Sequence, residues 1–219
     1  MTKTIAILGS TGSIGKTLLK IIKKNKFFKV ILLSANRDHK TLYAQAKKYK
    51  VKNLIIKNLD CYKILKKKCN KTNINVYNNF DIFNKIFKKK VDYTMNSIVG
   101  FDGLEPTLNI IKFSKKIALA NKESIICGWN LIKKESIKYK TKIIPIDSEH
   151  FSIWSSLNKL DIDADNNLNK LIQKIFITAS GGPFLKTPLE NFKKIKIKHA
   201  IKHPTWKMGN KISIDSLQL

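Results

Sequence analysis

Short apolar runs alternate with longer amphipathic stretches along most of the chain, and this alternation constrains the fold more than any other feature. The apolar runs are typical of buried strands and lie at residues 4–8, 29–34, 53–56, 92–95, 116–119 and 142–146. Between them, residues 13–24, 81–88 and 123–139 carry apolar side chains at helical spacing on one face. Strands that alternate with helices favour a parallel sheet covered on both faces, so the pattern predicts an α/β fold.

A glycine-rich turn joins the first predicted strand to the first predicted helix. At this position backbone amides and a helix N-terminus can bind a pyrophosphate. The candidate cofactor-binding residues of the turn are Gly9, Ser10, Thr11, Gly12, Ser13, Ile14 and Gly15. The GxxGxxG spacing departs from the GxGxxG form, and the alternative is a tight turn that binds nothing. The strand before it and the helix after it favour a nucleotide site on a Rossmann-like, doubly wound sheet.

The end of the second predicted strand indicates which dinucleotide binds. The strand is followed by Asn36, Arg37 and Asp38, with no carboxylate directly at its tip, where an NAD enzyme would bind the ribose hydroxyls. A guanidinium at this place suits the 2′-phosphate of NADP(H), so Arg37 favours NADPH over NADH. Asp38 argues in the other direction, and the alternative is that Arg37 is an ordinary exposed cation.

Two carboxylates, Asp147 and Glu149, directly follow the apolar run at residues 142–146. If the strand stays extended through Glu149, its period of two points both side chains to one side, where they can hold a hard cation such as Mg²⁺ or Mn²⁺. The alternative is that Asp147 or Ser148 caps a helix over residues 150–157 and that the helix dipole stabilises Glu149.

The last third of the chain has a different pattern. Residues 158–170 are polar and predict an exposed connection, residues 174–178 predict a strand, and residues 189–194 predict a short helix. A turn cluster at residues 180–183 and a loop at residues 203–209 complete this part. The predicted division is a nucleotide-binding domain at residues 1–146 and an incomplete α+β catalytic domain at residues 147–219.

The formal net charge of +28 comes almost wholly from lysine, since Arg37 is the only arginine among 43 basic residues. Proteins that read nucleic acids rely on arginine for bidentate contacts, and here lysine rises together with isoleucine and asparagine, whose codons are AT-rich. We therefore expect a lysine-rich surface and no specific nucleic-acid partner. Three cysteines without paired spacing predict a reducing cytoplasm, and no signal peptide or membrane span is expected.

Six motifs in order give the chain a close resemblance to a known family. They are the glycine turn, Ile98-Val99-Gly100, the segment from Leu119 to Ser124, the segment from Ile144 to His150, the segment from Ala179 to Phe184, and the segment from His203 to Gly209. Together they resemble 1-deoxy-D-xylulose 5-phosphate reductoisomerase, over residues 9–216. This family performs an NADPH- and metal-dependent rearrangement and reduction of a sugar phosphate to 2-C-methyl-D-erythritol 4-phosphate in isoprenoid biosynthesis.

The resemblance implies roles for individual residues. Asp147 and Glu149 would be catalytic metal ligands for Mg²⁺ or Mn²⁺, and Lys122, also catalytic, and Ser148 would contact substrate hydroxyls. The substrate phosphate would be bound by Ser180, His203 and Ser216, under a lid that carries Trp206 and Met208. Asn36, Arg37, Asn121 and Glu123 would join the glycine turn in binding NADPH. A family-like homodimer is also implied.

The family pattern continues after Ser216 with an Asn and a Lys for the phosphate and a Glu that is the third metal carboxylate. These residues and the family's helical C-terminal domain do not follow in this sequence. The chain is therefore expected to be truncated. Two alternatives to an active reductoisomerase remain open, which are an inactive remnant that keeps only nucleotide binding and a basic binding protein on the same scaffold.

Overall fold

The computed structural model describes residues 2–25, 27–159, 172–177, 183–184 and 186–200. Contacts between residues divide the chain into two compact units, Met1–Asp161 and Ile162–Leu219. The predicted boundary after Ile146 was drawn between a nucleotide-binding part and a catalytic part, not from contacts between residues. It stays a prediction.

The described part of the first unit contains a parallel sheet with helices on both faces. Its strands are β1 (Lys3–Leu8), β2 (Phe28–Ala35), β3 (Asn53–Ile56), β4 (Asn75–Tyr77), β5 (Val91–Asn96), β6 (Ser114–Leu119) and β7 (Lys142–Pro145). Its α-helices are α1 (Ser13–Lys24), α2 (His39–Tyr49), α3 (Leu59–Cys69), α4 (Phe83–Ile86), α5 (Leu104–Ile111), α6 (Lys122–Lys138) and α7 (Ser148–Lys159). A 3₁₀ helix, Phe101–Gly103, precedes α5. The predicted α/β class is confirmed, and so are all the predicted strands of this unit to within two residues at either end.

The structure also contains elements that the apolar pattern did not predict, namely β4, α2 and α5. The predicted helix over residues 81–88 is shorter than expected and is reduced to the single turn of α4. Asp38 begins α2, because its carboxylate accepts a hydrogen bond from the Thr41 backbone N–H at 3.0 Å. Helix α2 buries Leu42, Gln45 and Ala46, which is a narrow and partly polar face that gives a weak periodic signal.

The sheet has the order β4-β3-β2-β1-β5-β6-β7, and every pairing between neighbours is parallel. Strand β1 lies where the chain order reverses direction, because β2 pairs on one side of it and β5 on the other. In open parallel sheets the crevice outside the carboxyl ends of the strands at such a reversal is the usual place for a ligand. We call the side of the sheet where the strands end the carboxyl edge.

Two apolar layers pack on the two faces of the sheet. Ile5 and Ile7 of β1 belong to one layer, whereas Ala6 and Leu8 belong to the other, as the period of two in a strand requires. All four side chains are buried, and burying an isoleucine or leucine contributes roughly 1.5–3 kcal/mol. Because both faces are covered, the sheet is rigid support for the loops at its carboxyl edge.

The described part of the second unit contains a 3₁₀ helix, Leu189–Lys194, and a one-turn helix α8 (Ile197–Ala200). The first of these confirms the predicted short helix. The strand predicted over residues 174–178 is wrong for its described part, since residues 174–177 form no strand and Phe176 is 78% exposed. Apolar residues alone do not make a strand, because a strand needs a hydrogen-bonded neighbour.

Two further predictions concern the link between the units and the membrane. Asn158 and Lys159 belong to α7 rather than to the predicted connection, and residues 160–170 lie outside the described residues. Among the described residues, no helix combines the length and apolarity needed to cross a bilayer.

Candidate functional site

A cavity of about 860 Å³ lies at the carboxyl edge, beside the reversal of strand order. One wall is the glycine turn, with Gly9, Thr11 and Gly12. The other walls come from the end of β2, from residues 97–99 after β5, and from the start of α5. This volume lies within the range of small-molecule and cofactor sites, and the residues that line it come from several separate segments of the chain.

Glycine is required at both ends of the turn. Gly9 has φ +78°, and a Cβ there would lie 2.8 Å from the Ser97 carbonyl oxygen. A Cβ on Gly15 would lie 2.5 Å from the Ser10 Cα. The absence of side chains lets the turn pack against the loop after β5 and lets α1 approach the turn. Helix α1 then begins at Ser13 with no side-chain cap and no acidic residue in its first turn. The positive end of its dipole is therefore not neutralised by a carboxylate of the helix itself.

Ser10 faces the interior and not the cavity. It is fully buried, and its hydroxyl donates to Gln45 Oε1 at 2.8 Å. The neighbouring Gly9 N–H donates to the Ser34 hydroxyl at 3.0 Å. The prediction that Ser10 belongs to a cofactor site stays a prediction. In the observed contacts, its side chain anchors the turn. Ser34 and Gln45 were not predicted, because they are far from the turn in sequence.

The residues after β2 divide between the cavity and α2. Asn36 lines the cavity, and Arg37 is exposed beside it. Burial raises the pKa of Asp38, but the hydrogen bonds from Thr41 and the charges of Lys16 and His39 outweigh it and hold that pKa below 3.8. Asp38 therefore serves as an ionised cap of α2. Its position after β2, which argued for NADH over NADPH in the sequence, is explained by this capping role.

Asn121 fastens the loop after β5 to the start of α6. Its Nδ2 donates to the carbonyl oxygens of Ile98 at 2.7 Å and Gly100 at 3.1 Å, and its Oδ1 accepts from the Ser124 N–H at 3.3 Å. Gly103 must lack a side chain, because a Cβ there would lie 1.8 Å from Asn121 Nδ2. This clamp places Lys122, the first residue of α6, next to a loop that lines the cavity. The proposed contacts of Asn121 and Glu123 with a cofactor stay predictions.

Of the two geometries considered for the acidic pair, the structure shows the helical one and not the extended one. Strand β7 ends at Pro145, α7 begins at Ser148, and the Phe151 N–H donates to the Asp147 carbonyl at 2.8 Å. Once the backbone becomes helical, successive side chains no longer alternate. Asp147 therefore immediately precedes α7 and Glu149 lies in its first turn, where the positive end of the helix dipole stabilises both carboxylates. This is the helical alternative, and it is compatible with a metal site.

Each carboxylate of the pair has a polar neighbour. His150 Nδ1 lies 2.9 Å from Asp147 Oδ1, and the Ser148 hydroxyl donates to Glu149 Oε2 at 2.8 Å. Burial alone raises the pKa of Asp147, but the hydrogen bond from His150 and the charges of His150 and Lys122 outweigh that effect, so the net pKa lies below 3.8. The charge of Lys122 thus acts on Asp147, so these two predicted residues lie within electrostatic range of each other.

The donor set at the acidic pair fits a hard divalent cation. Within the described ranges, no group of three histidine, cysteine, aspartate or glutamate side chains is arranged around one metal position. Two carboxylates are nonetheless the usual protein contribution to Mg²⁺, which keeps its other positions for water and substrate oxygens. Asp147 and Glu149 are therefore suitable oxygen ligands for such a cation.

The glycine turn and the acidic pair share the carboxyl edge. The turn follows β1 and the pair follows β7, and β5 and β6 lie between these two strands in a sheet that is parallel throughout. Three interstrand spacings separate β1 from β7, a distance of about 14 Å. This topology places both features at the same edge of one sheet.

Four predicted substrate-binding residues lie outside the described residues, namely Ser180, His203, Trp206 and Ser216, and so does the predicted lid residue Met208. Among the described residues, Lys57 and Phe80 line the cavity, although neither was predicted to do so. The Lys57 ammonium lies 5.4 Å from the centroid of the Phe80 ring. A lysine after a strand gives no signal in a chain with so many lysines.

Comparison with known proteins gives one consistent family. A family model described as 1-deoxy-D-xylulose 5-phosphate reductoisomerase matches residues 5–128, and one described as the C-terminal domain of that enzyme matches residues 143–219. The 1-deoxy-D-xylulose 5-phosphate reductoisomerase of Pelagibacter ubique is 56% identical over 217 residues, covering 98% of this chain and 54% of the relative. That of Wolbachia pipientis is 42% identical over 216 residues, covering 98% and 53%. The chain spans about half the length of the curated relatives it matches.

Solved structures give the same result. The 1-deoxy-D-xylulose 5-phosphate reductoisomerase from Zymomonas mobilis in complex with NADPH aligns with a TM-score of 0.81 at 34% identity, over 99% of this chain and 54% of that one. A DOX-P reductoisomerase in complex with NADPH, fosmidomycin and magnesium aligns with a TM-score of 0.87 at 32% identity, over 98% and 54%.

Proposed function

The chain belongs to the 1-deoxy-D-xylulose 5-phosphate reductoisomerase family, and from that membership we propose that it binds NADPH and a divalent cation for the reaction of that family. The observation that carries the proposal is the placement of the glycine turn and the acidic pair at the same edge of one parallel sheet. The reaction is the rearrangement and reduction of 1-deoxy-D-xylulose 5-phosphate to 2-C-methyl-D-erythritol 4-phosphate.

The cavity beside the glycine turn is the proposed NADPH site. Backbone amides of the turn and the N-terminus of α1 would bind the pyrophosphate, while Asn36 and Arg37 would bind the adenosine ribose and its 2′-phosphate. Bound NADPH would supply the hydride of the reduction. The loop after β5, held by Asn121, forms a further wall of this site.

The acidic pair is the proposed metal site. Asp147 and Glu149 would hold Mg²⁺ or Mn²⁺, and a bound cation of this kind polarises a ketone and stabilises the negative charge that develops on its oxygen. Lys122 would bind a substrate hydroxyl, and its electrostatic effect on Asp147 supports this role. Ser148, exposed at the start of α7, would bind a second hydroxyl. The ionised state of Asp147 at neutral pH is the state that a metal ligand requires.

The remaining assignments rest on family membership. Ser180, His203 and Ser216 would bind the substrate phosphate, and Trp206 and Met208 would cover the substrate and exclude water. We also propose that the protein forms a family-like homodimer and that it works in a reducing cytoplasm. The reducing environment is supported by the three cysteines, Cys61, Cys69 and Cys127, all of which are free thiols.

The direct test is binding followed by turnover. NADPH binding is measured by fluorescence titration, Mn²⁺ binding by electron paramagnetic resonance, and turnover by NADPH oxidation with 1-deoxy-D-xylulose 5-phosphate and Mn²⁺. Saturable binding of both ligands together with substrate-dependent oxidation supports the proposal. NADPH binding without Mn²⁺ binding would favour a remnant that keeps only the nucleotide site. If neither ligand bound, and nucleic-acid binding fell steeply with salt, a basic binding protein would be favoured instead.

A further inference from the structure

We propose that Gln45 is a positioning residue for the NADPH site, acting through Ser10 to hold the glycine turn in its ligand-binding conformation. This inference rests on the proposed NADPH binding. Gln45 lies on α2, 35 residues from Ser10 in sequence, and its side chain makes two hydrogen bonds to that residue. It is not among the residues that line the cavity.

The contact between Gln45 and Ser10 has two points and a fixed direction. Gln45 Nε2 donates to the Ser10 carbonyl oxygen at 2.9 Å, and Gln45 Oε1 accepts from the Ser10 hydroxyl at 2.8 Å. A carbonyl oxygen can only accept, so the amide nitrogen must face it, and the amide oxygen must then face the hydroxyl. Both ends of the Gln45 amide are therefore assigned by the contact itself, and they hold the backbone and the side chain of Ser10 at once.

The same contact extends into β2. The Ser10 N–H donates to the Ser34 carbonyl at 2.8 Å, and the Gly9 N–H donates to the Ser34 hydroxyl at 3.0 Å. The Ser10 hydroxyl has one hydrogen, which the shorter contact to Gln45 takes in preference to the 3.2 Å contact to the Ser34 carbonyl. The first two amides of the turn thus point into the fold, so the groups that can bind an anion are those of Thr11 and of the first turn of α1.

Stability alone does not explain a glutamine at this position. Gln45 is 8% exposed, and its helix neighbours Leu42 and Ala46 are buried in the apolar layer. An apolar residue of similar length would fill the same space without the cost of removing an amide from water. What the amide adds is orientation, because two hydrogen bonds define the direction of the turn, whereas an apolar contact does not. Backbone amides bind a pyrophosphate well only when they are held in place beforehand.

The test uses NADPH titrations of the full chain and four variants. Gln45→Met keeps the length of the side chain and removes both hydrogen bonds, and Ser10→Ala removes only the hydroxyl. Each is expected to raise the Kd for NADPH about tenfold. The double variant is expected to lie close to the single ones, because both substitutions disrupt one contact.

Ser114→Ala is the matched control. Ser114 is the first residue of β6 and so lies away from the carboxyl edge. It is fully buried, and its hydroxyl lies 2.7 Å from the Thr94 hydroxyl. Its loss is expected to lower the melting temperature, while the Kd for NADPH stays within twofold of wild type.

The outcomes separate this inference from the proposed function. If the unsubstituted chain does not bind NADPH, both are overturned. If it binds and Gln45→Met binds equally well, the proposed function stands and the positioning role is overturned. The same conclusion follows if Ser114→Ala weakens binding as much as Gln45→Met, or if the effects of Ser10→Ala and Gln45→Met simply add. A selective, non-additive loss supports the positioning role.

Discussion

The glycine turn and the acidic pair follow two strands of one parallel sheet, yet they are built in opposite ways. At the turn, the groups offered to a ligand are backbone amides, and buried side chains such as Ser10 and Gln45 hold them from behind. At the acidic pair, the groups offered are the side chains of Asp147 and Glu149, which are half-buried on the start of α7. Substitutions at the turn should therefore act through packing, whereas substitutions at the pair should act through charge.

The largest expected effect is that of Gly9→Ala, which would test whether the turn depends on packing. The alanine would have to adopt a left-handed backbone conformation, with φ +78°. Its Cβ would lie 2.8 Å from the Ser97 carbonyl oxygen. Strain of about 1–2 kcal/mol and overpacking of about 1–3 kcal/mol are expected to lower the free energy of unfolding. Urea denaturation measures this loss, and NADPH binding is expected to fall with it.

Gly100→Ala provides the control for that substitution. Gly100 also has positive φ, at +74°, but a Cβ there would have no atom within 4 Å. It should therefore cost only the strain of about 1–2 kcal/mol. Equal losses of stability in the two variants would show that the close approach of Gly9 to Ser97 leaves room for a side chain. The contrast between a turn that depends on packing and a pair that depends on charge would then weaken.

The second prediction concerns charge at the acidic pair. Asp147→Asn keeps the shape of the side chain and removes its charge, so Mn²⁺ affinity should fall at least about tenfold and metal-dependent turnover should be lost. NADPH affinity should remain within twofold, because the turn lies about 14 Å away. Paramagnetic resonance and fluorescence titrations measure the two affinities separately.

Asp60→Asn is the matched control for Asp147→Asn. Asp60 is a carboxylate in the first turn of a helix, α3, as Glu149 is in α7, and it is exposed. Its neutralisation should leave Mn²⁺ affinity unchanged. If both variants lost affinity equally, the Mn²⁺ response would reflect general surface charge, and the assignment of Asp147 as a ligand would fail.

A smaller effect is expected from Arg37→Ala, which changes a side chain at the rim of the backbone site. Loss of the guanidinium should raise the Kd for NADPH about tenfold and leave that for NADH nearly unchanged, because only NADPH carries the 2′-phosphate. Lys40→Ala, at an exposed position of α2, should change neither. Equal effects of Arg37→Ala on both cofactors would remove the basis for the preference.

The same contrast separates what the sequence could predict from what it could not. The sheet and the glycine turn were predictable because β1 and the start of α1 carry local signals, namely an apolar run, glycines and a helical period. The contact between Ser10 and Gln45 was not, because it joins residues that only the fold brings together. Strand β4, Asn75–Tyr77, is short and partly polar and has no local signal.

The acidic pair shows a different kind of limit. Its residue types predicted a metal site but left an extended and a helical backbone open, and the structure adopts the helical one, because α7 begins at Ser148. Where a strand gives way to a helix depends on how that helix packs against β7, and the local residues Asp147, Ser148 and Glu149 suit either conformation. Residue identity therefore indicated the chemistry, while the geometry came only from the structure.

The smallest effect is expected at a carboxylate with no ligand role, Asp92, which is a reference for Asp147. Asp92 accepts hydrogen bonds from Lys115 Nζ at 2.8 Å and from the Thr4 N–H at 2.8 Å. Mainly through the hydrogen bond from Lys115, and then that from Thr4, its pKa falls from 3.8 to about 2. Like Asp147, it is held ionised, but its partners belong to the start of the sheet, away from the carboxyl edge.

The sign of the pH dependence follows from that lowered pKa. The folded chain holds the Asp92 proton less tightly than the unfolded chain, so the stabilisation is complete above about pH 4 and is lost as the pH falls through about 2. Because Lys115 is largely exposed, with 62% of its side chain accessible, the contribution should be on the order of 1 kcal/mol. Asp92→Asn should therefore be less stable than wild type at pH 6, and the difference should shrink towards pH 2 in urea denaturation. Mn²⁺ and NADPH affinities should not change. A stability difference that did not vary with pH would mean that packing, rather than charge, accounts for the role of Asp92, and the distinction drawn between Asp92 and Asp147 would then need another basis.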